Sequence, residues 1–313
     1  MTYAADLDVI RAAAGRIAPY AHRTPILTSK TLDALSGREL FFKCENLQKI
    51  GAFKFRGALN AVLSLSEEAA ANGVVTHSSG NHAQAVALAA KMRGIQATIV
   101  MPSTSPAVKQ RAVAGYGARI VICEPTLAAR EIDAARVIDE TGATLIHAYN
   151  DRNVIAGQGT VALEILEQVL DLDTIVTPVG GGGLLSGVTL AAKAIQPSIH
   201  VFAGEPKGAD DAARSKAAGE LILQTDPRTV ADGLLTSLGS NTWPVIRDLV
   251  DGIIVVDDPQ IRAAMRLVWE RMKLVVEPSA AVGLAAVLTG DIPGERIAIV
   301  LTGGNLDLDA TFA

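Results

Sequence analysis

The fold of this chain is indicated by the stretch "DTIVTPVGGGGLLSG", residues 173–187. A short β-branched run leads into four consecutive glycines, and an apolar segment rich in small residues follows. Glycine loses more backbone freedom on folding than any other residue, so one or two would be enough for a tight turn and four need another reason. A strand, a glycine loop and a helix in this order are typical of an α/β unit whose helix N-terminus binds an anion.

The same alternation of apolar runs and alanine-rich segments continues along the chain. The apolar runs are 40–46, 73–79, 97–102, 118–123, 144–149, 173–180, 200–206, 252–258 and 296–304. The alanine-rich segments between them include 81–93, 128–141, 158–171, 184–196 and 258–272. Apolar runs without alternation indicate strands covered on both faces, so we predict an α/β protein with parallel sheets.

Length and composition limit the possible classes of protein. The 313 residues favour two domains, and 49% hydrophobic with 19% charged residues is typical of a packed globular protein. The net charge of −5 comes without a basic tract, so we expect no nucleic-acid partner. No apolar run is long enough to span a membrane, and two cysteines are too few for a disulfide framework. We therefore expect a reduced, cytoplasmic protein.

Two loops that follow predicted strands have the composition of anion sites. The four glycines at 180–183 lack the spacing of a dinucleotide fingerprint or a Walker loop, but they suit a phosphate at a helix N-terminus. The loop "THSSGNHAQA", 76–85, brings two serines, an asparagine and a histidine to the start of a helix. Helix capping explains one such residue. Because four polar groups occupy five positions, a carboxylate site is as good an explanation of this loop as helix capping.

Lys54 lies between two phenylalanines in "GAFKFRGALNA", residues 51–61. It is either a solvated helix lysine or an inward-facing amine whose pKa is lowered by the loss of water. A desolvated amine, a phosphate site and a carboxylate site together suit pyridoxal phosphate, which is held as an imine by a lysine. The sequence therefore predicts a pyridoxal-phosphate site with Lys54 at its centre.

At this point the chain resembles a known family, the fold-type II pyridoxal-phosphate enzymes. It is most similar to the threonine/serine dehydratase and serine racemase branch, which includes 3-hydroxyaspartate dehydratases. The motifs that carry the resemblance are "FFKCENLQKIGAFKFRGALNA" (41–61), "THSSGNHAQA" (76–85), "AGQGT" (156–160), "VGGGGLLSG" (179–187), "GEPKGADD" (204–211), "SLGSNTW" (237–243), "VVEPSAA" (275–281) and "TGGN" (302–305). They cover nearly the whole chain in the family's order.

The resemblance implies two parallel-sheet domains of the tryptophan synthase β-subunit-like architecture. Residues 1–65 and 151–313 would form the large cofactor-binding domain, and residues 66–150 would form the small domain. Family members often dimerise, so a homodimer is also implied.

The resemblance also assigns roles to single residues. Lys54 would be the Schiff-base lysine, and Ser79 would be the second base on the opposite face of the cofactor. The cofactor-binding residues implied are Phe53, Lys54, Asn81, Gly180, Gly181, Gly182, Gly183, Leu184, Glu277 and Thr302. The substrate-binding residues implied are Ser78, Ser79, Asn81, His82 and Arg130.

A metal site is the point at which the residues and the resemblance differ. Taken alone, Glu205 and Asp211 are explained by acidic residues that stabilise the start of a helix. The resemblance implies instead that Glu205, the Ala209 carbonyl and Asp211 bind Mg²⁺ or Ca²⁺.

The activity implied is elimination of water from small β-hydroxy amino acids, giving a 2-oxo acid and ammonia. Threonine, serine and 3-hydroxyaspartate stay open as substrates, and so does a primary serine racemase. Ala52 and Phe55 stand where many dehydratases have serine and isoleucine or leucine, which favours the racemase and hydroxyaspartate subgroup. Three alternatives stay open: a β-replacement enzyme, a non-catalytic cofactor carrier or amino-acid sensor, and a nicotinamide-dependent dehydrogenase, against which the missing glycine fingerprint argues.

Overall fold

The computed structural model describes residues 3–105 and 107–306, which form two sheets with helices packed on them. The strands are β1 (Ile26–Leu27), β2 (Glu39–Cys44), β3 (Val74–His77), β4 (Ala97–Pro102), β5 (Arg119–Cys123), β6 (Thr144–Leu145), β7 (Thr174–Pro178), β8 (His200–Pro206), β9 (Gly252–Val256) and β10 (Arg296–Leu301). Six of them form one sheet in the order β1-β2-β10-β7-β8-β9, and the other four form a second in the order β5-β4-β3-β6.

The helices are α1 (Leu7–Ile17), α2 (Lys30–Ser36), α3 (Lys54–Leu63), α4 (Glu67–Ala71), α5 (Asn81–Arg93), α6 (Ala107–Gly115), α7 (Leu127–Thr141), α8 (Arg152–Gln168), α9 (Gly183–Ile195), α10 (Asp211–Ala218), α11 (Trp243–Leu249), α12 (Asp258–Leu267) and α13 (Pro278–Thr289). Short 3₁₀ turns lie at Glu45–Leu47, Lys49–Gly51, Lys207–Ala209 and Asp232–Leu234, and a π turn follows α12 at Val268–Met272.

Each of the nine predicted apolar runs overlaps a strand, and every pairing between the named strands but one is parallel. The exception is β1, which pairs antiparallel with β2 through Ile26–Lys43 and Leu27–Phe42 and was not predicted. The α/β class with parallel sheets is therefore confirmed.

The strands of the smaller sheet lie between residues 74 and 145. Helix α3 packs against α5 as well as against α8, and α5 in turn packs on β3 and β4. Phe55 and Leu59 of α3 belong to the same buried cluster as Val74 and Ile99. The domain boundaries themselves (1–65 with 151–313, and 66–150) stay a prediction.

Three helices are held together by glycine-to-backbone contacts. A Cβ on Gly157 of α8 would lie 2.6 Å from the Cα of Gly57 in α3, and a Cβ on Gly159 would lie 2.8 Å from the carbonyl oxygen of Gly187 in α9. Helix α8 therefore touches α3 and α9 backbone to backbone, which no larger residue permits. The motif "AGQGT" is explained by this packing.

None of the helices in the described part of the chain is long and apolar enough to cross a membrane.

Gly157→Ala tests the α3–α8 contact. The added methyl meets the Gly57 and Arg56 backbones at 2.6–3.0 Å, so the helices must move apart, and we expect a loss of about 1–3 kcal/mol in the free energy of unfolding. Urea unfolding followed by circular dichroism measures it.

The matched control is Gly15→Ala in the exposed part of α1, where nothing lies within 4 Å of the new Cβ. That variant should gain about 0.5–1 kcal/mol, because alanine is the better helix former. Equal changes in the two variants would contradict the packing explanation.

Candidate active site

Lys54 is the first residue of α3, and it is half-buried. Nζ donates a hydrogen bond to the Ala148 carbonyl oxygen at 2.8 Å and lies 5.2 Å from the centre of the Phe53 ring. Loss of water lowers the pKa of Lys54 to about 8, although the nearby Glu277 carboxyl acts in the opposite direction. A substantial fraction of this amine is therefore neutral near pH 8 and able to act as a nucleophile.

The segment before Lys54 is tied to the end of β10. The Phe53 N–H donates to the Thr302 carbonyl oxygen at 3.0 Å, and the Gly304 N–H donates to the Gly51 carbonyl oxygen at 3.0 Å. These bonds hold Thr302 and the lysine at the carboxyl end of the sheet, where ligands of parallel sheets bind.

The glycine loop lies at the carboxyl end of β7 and begins α9. Gly182 adopts a φ of +83°, and the first bond within the helix runs from the Ser186 N–H to the Gly182 carbonyl oxygen. The amide groups of Gly183 and Leu184 therefore have no acceptor within the helix and face its open end. Free amides at the positive end of a 13-residue helix suit a phosphate.

The four glycines are also required by protein neighbours. A Cβ on each would lie within 3 Å of another part of the chain: Gly180 of Leu234, Gly181 and Gly183 of Tyr149, and Gly182 of Ile246. The sequence predicted close approach to a ligand, and the structure adds that the glycines are also packed against these three residues.

The start of α5 offers a second set of free amides. Gly80 is its N-cap and has no side-chain cap, and the first bond within the helix runs from the Gln84 N–H to the Gly80 carbonyl oxygen. Ser78 Oγ accepts from the Gly80 N–H at 3.3 Å. The amides of Asn81 and His82 are therefore left without an acceptor in the helix, which favours the carboxylate alternative over a simple cap.

The His82 ring is neutral, and it does not point its N–H toward a substrate carboxylate as its position had suggested. Nε2 lies 2.9 Å from the Ile146 carbonyl oxygen, which only accepts, so this nitrogen carries the hydrogen. Burial lowers the pKa of His82 to about 3, with Lys54 adding to the effect. Nδ1 has no partner among the described residues and can only accept. His82 can therefore bind a carboxylate through its backbone N–H but not through its ring.

Asn81 lies between Glu277 and Asn305. Its Nδ2 donates to Glu277 Oε1 at 2.9 Å, and its Oδ1 accepts from Asn305 Nδ2 at 2.9 Å. Burial raises the pKa of Glu277 to about 8, with Asp232 adding to the effect and the Asn81 hydrogen bond opposing it. The predicted residues Asn81 and Glu277 thus form one group with Asn305. The motif "TGGN" contains Asn305, but no role was predicted for it.

The turn after β6 supplies two further side chains that sequence reasoning missed. His147 Nδ1 accepts from the backbone N–H of Asn150 at 3.0 Å, and its ring lies 4.6 Å from the Tyr149 ring in an edge-to-face contact. Burial lowers the pKa of His147 to about 4, so the ring is neutral. The sequence offered only one sign that His147 and Tyr149 belong to the site, namely their position after a predicted strand. Many other residues share that position.

Arg130 is half-buried in the first turn of α7. Its Nε donates to the Thr126 carbonyl oxygen at 3.4 Å. After burial, its charge is the main cause that lowers the pKa of His77, and it also acts on Tyr149. The guanidinium group is therefore close enough to influence this side of the site.

Glu205 lies near the end of β8, Ala209 ends the turn that follows, and Asp211 begins α10. The Glu205 carboxylate accepts from the backbone N–H groups of Ala212 and Ala213 at 2.8 Å each. Asp211 Oδ2 accepts from the Leu238 N–H at 3.2 Å, whereas Oδ1 is buried without a partner in the described part of the chain. Burial raises the pKa of Glu205 to about 8 and that of Asp211 to about 6.

No group of three or more histidine, cysteine, aspartate or glutamate residues able to hold a metal occurs within 3–105 and 107–306. A cation here would therefore depend on two carboxylates and backbone oxygen. The unpartnered Asp211 oxygen fits that arrangement.

The residues around Lys54 fit pyridoxal phosphate. A partly neutral amine and the free amides of α9 correspond to its aldehyde and its phosphate, and the glycine loop leaves no room for side chains.

Comparisons with known proteins agree with this geometry. A family model described as "Pyridoxal-phosphate dependent enzyme" matches residues 17–303. A serine racemase of Arabidopsis thaliana is 56% identical, over 98% of this chain and 95% of that protein. A β-hydroxyaspartate dehydratase of Paracoccus denitrificans is 48% identical, over 98% of each. The structure of maize serine racemase has a TM-score of 0.98 at 55% identity, covering 99% of this chain and 96% of that one.

These matches confirm the predicted fold and cofactor, and they exclude the nicotinamide-dependent dehydrogenase. The chain belongs to the family of pyridoxal-phosphate-dependent enzymes.

Proposed function

We propose that the protein is a dehydratase (ammonia-lyase) of small β-hydroxy amino acids that also racemises serine. L-Threonine, L-serine and 3-hydroxyaspartate are the candidate substrates, with a 2-oxo acid and ammonia as products. The observation that carries the proposal is the half-buried Lys54, whose amine donates to the Ala148 carbonyl oxygen and has a pKa of about 8, at the carboxyl end of the sheet that also bears the glycine loop. The names of the relatives support both reactions, since they include serine racemases and a hydroxyaspartate dehydratase.

The cofactor residues have separate tasks. The amides of Gly180 to Gly183 and Leu184 would hold the phosphate, and Phe53 would form the apolar wall beside Lys54. Thr302 would face the ring nitrogen, and Asn81 would donate to the ring oxygen. When bound, the cofactor supplies an acceptor for the electrons released at the substrate's α-carbon.

Lys54 would remove the α-proton. Its low pKa leaves a lone pair available near neutral pH, and the hydrogen bond to the Ala148 carbonyl fixes the direction of the amine. A base whose pKa lies near the working pH transfers protons most efficiently in both directions.

The substrate carboxylate would lie at the N-terminus of α5. Ser78, Ser79, Asn81 and His82 surround this end of the helix, and we assign His82 a backbone contact because its ring cannot donate there. Arg130 would add a positive charge at the same side.

Ser79 would act on the opposite face of the α-carbon. A second proton-transfer group there allows the α-proton to return on the other face, which is what racemisation needs. The alternative in which serine racemisation is the main reaction uses the same residues. A non-catalytic cofactor carrier or amino-acid sensor is the alternative from another class.

We also propose a Mg²⁺ or Ca²⁺ ion on Glu205, Ala209 and Asp211, and a homodimer in the cytoplasm. The unpartnered Asp211 oxygen supports the ion, and the resemblance to the racemase branch supports all three.

Lys54 can be tested by the pH dependence of cofactor loading. Only the neutral amine attacks an aldehyde, so the loading rate of apoprotein should rise with pH to a midpoint near 8, well below the usual lysine value of about 10.4. Stopped-flow absorbance measures the rate.

Borohydride reduction and peptide mass spectrometry should find the adduct on Lys54, and Lys54→Ala should abolish it. An adduct on another lysine would overturn the assignment.

The reaction can be tested with both enantiomers of serine, threonine and 3-hydroxyaspartate. Wild type should form 2-oxo acid from at least one of them and interconvert the serine enantiomers, as measured by coupled assay and chiral chromatography. Ser79→Ala should lose racemisation and largely retain elimination, because it removes only the proton-transfer group on the face opposite Lys54. Unchanged racemisation in Ser79→Ala would refute the role of Ser79. If wild type turned over none of the substrates, the non-catalytic cofactor carrier or amino-acid sensor would be the remaining alternative.

The metal site can be tested by thermal unfolding of chelator-treated protein. Mg²⁺ or Ca²⁺ at about 100 times its dissociation constant should stabilise wild type by about 2.7 kcal/mol. Asp211→Asn should remove most of this gain, because the amide offers a neutral oxygen in place of a charged ligand. Equal stabilisation of both proteins would place the ion elsewhere.

A further inference from the structure

Asn305 joins three parts of the chain that meet at the site. Its Nδ2 donates to the Ile50 carbonyl oxygen at 2.6 Å and to Asn81 Oδ1 at 2.9 Å. Its backbone N–H donates to the Glu277 carboxylate and opposes the rise in the pKa of that group. Asn305, in the loop after β10, therefore contacts the segment before Lys54, the start of α5 and the segment before α13.

These contacts determine which way both asparagine amides face. A backbone carbonyl can only accept, so the Asn305 atom next to Ile50 must be nitrogen. Its second hydrogen then requires the carbonyl oxygen of Asn81. The Asn81 nitrogen is thereby directed to Glu277 Oε1, and the second hydrogen on this nitrogen remains for a ligand.

The surrounding backbone leaves room for the Asn305 side chain. Gly51 has a φ of +71°, and a Cβ there would lie 2.9 Å from Asn305 Oδ1. The backbone bonds from Phe53 to Thr302 and from Gly304 to Gly51 do not involve the side chain of Asn305. The loop can therefore keep its path when that side chain is removed.

We propose that Asn305 is a positioning residue that holds the Asn81 amide with its N–H toward the ring oxygen of pyridoxal phosphate. The inference rests on the proposed function for the role of Asn81 and adds the residue that fixes its orientation. Without Asn305, only the bond to Glu277 Oε1 still orients the Asn81 amide. The amide then turns more readily and presents its carbonyl oxygen, which repels an ionised ring oxygen instead of stabilising it.

The test is a double-mutant cycle on cofactor-loaded protein. Two quantities are measured: the dissociation constant of pyridoxal phosphate, and the fraction of bound cofactor in the long-wavelength absorption form, in which the ring oxygen is ionised. Asn305→Ala should weaken cofactor binding by about 3- to 10-fold and lower that fraction, as expected for the loss of one hydrogen bond. In an Asn81→Ala background, Asn305→Ala should change the dissociation constant by less than about 2-fold, because the two residues act through one interaction.

Asn305→Asp is the second variant, since it keeps the shape of the side chain but has no N–H to donate. It should lower the ionised fraction at least as much as Asn305→Ala. The matched control is Gln196→Ala, which removes a comparable amide bond to the Leu172 carbonyl oxygen at the far end of α9. This control should change only the thermal stability.

The outcomes separate this inference from the proposed function. Wild type that shows no cofactor band would overturn both. Wild type with a normal band, but with an Asn305→Ala effect that is absent or equally large in the Asn81→Ala background, would overturn the positioning role alone.

Discussion

The packing of α8 between α3 and α9 is the constraint on which the site depends. Helix α3 carries Lys54 at its first residue, and α9 begins at the glycine loop. Both helices touch α8 at glycines, through the pairs Gly57–Gly157 and Gly159–Gly187. Contact between backbones leaves no flexible side chains to absorb a change, so the distance from the lysine to the glycine loop is set by the helices themselves.

A buried group of charges fixes the same interface. Arg56, two residues after Lys54, bonds Glu45 at 2.8 Å and Glu164 of α8 at 2.7 Å. Lys43 of β2 bonds Glu164 at 2.6 Å and the Thr24 carbonyl oxygen at 2.7 Å. Two cations balance two anions, and directional bonds specify how α3 lies on α8 and β2. Removing one partner from a buried pair typically costs about 3–5 kcal/mol, because the other charge is left uncompensated.

The sequence predicted the parts of the structure that have a local cause. Apolar runs identified nine strands, because central strands such as β4 and β7 are buried on both faces. The edge strands β5 and β9 are partly exposed and were still identified by their β-branched residues. Strand β1 escaped, since two residues are too few to form a pattern. The direction of the His82 ring also escaped, because it is set by the Ile146 carbonyl oxygen, 64 residues away. The contacts of Tyr149 with Gly181 and Gly183 depend in the same way on how the chain folds back. The family resemblance supplied the roles of single residues, which spacing alone does not give.

Burial is the first cause of the low pKa of Lys54, and the place of this residue at a helix N-terminus acts in the same direction. A helix N-terminus carries the positive end of the helix dipole, which disfavours a cation there. Lys54 occupies the first position of α3, and the N-termini of α5 and α9 also lie at the carboxyl ends of β3 and β7. These helix ends favour anions and a neutral amine together. Burial keeps the rings of His82 and His147 neutral. A positive charge on either ring would also be repelled by the positive helix ends. Backbone dipoles thus favour phosphate and carboxylate at these helix ends, while burial lowers the pKa of Lys54 and keeps its amine reactive.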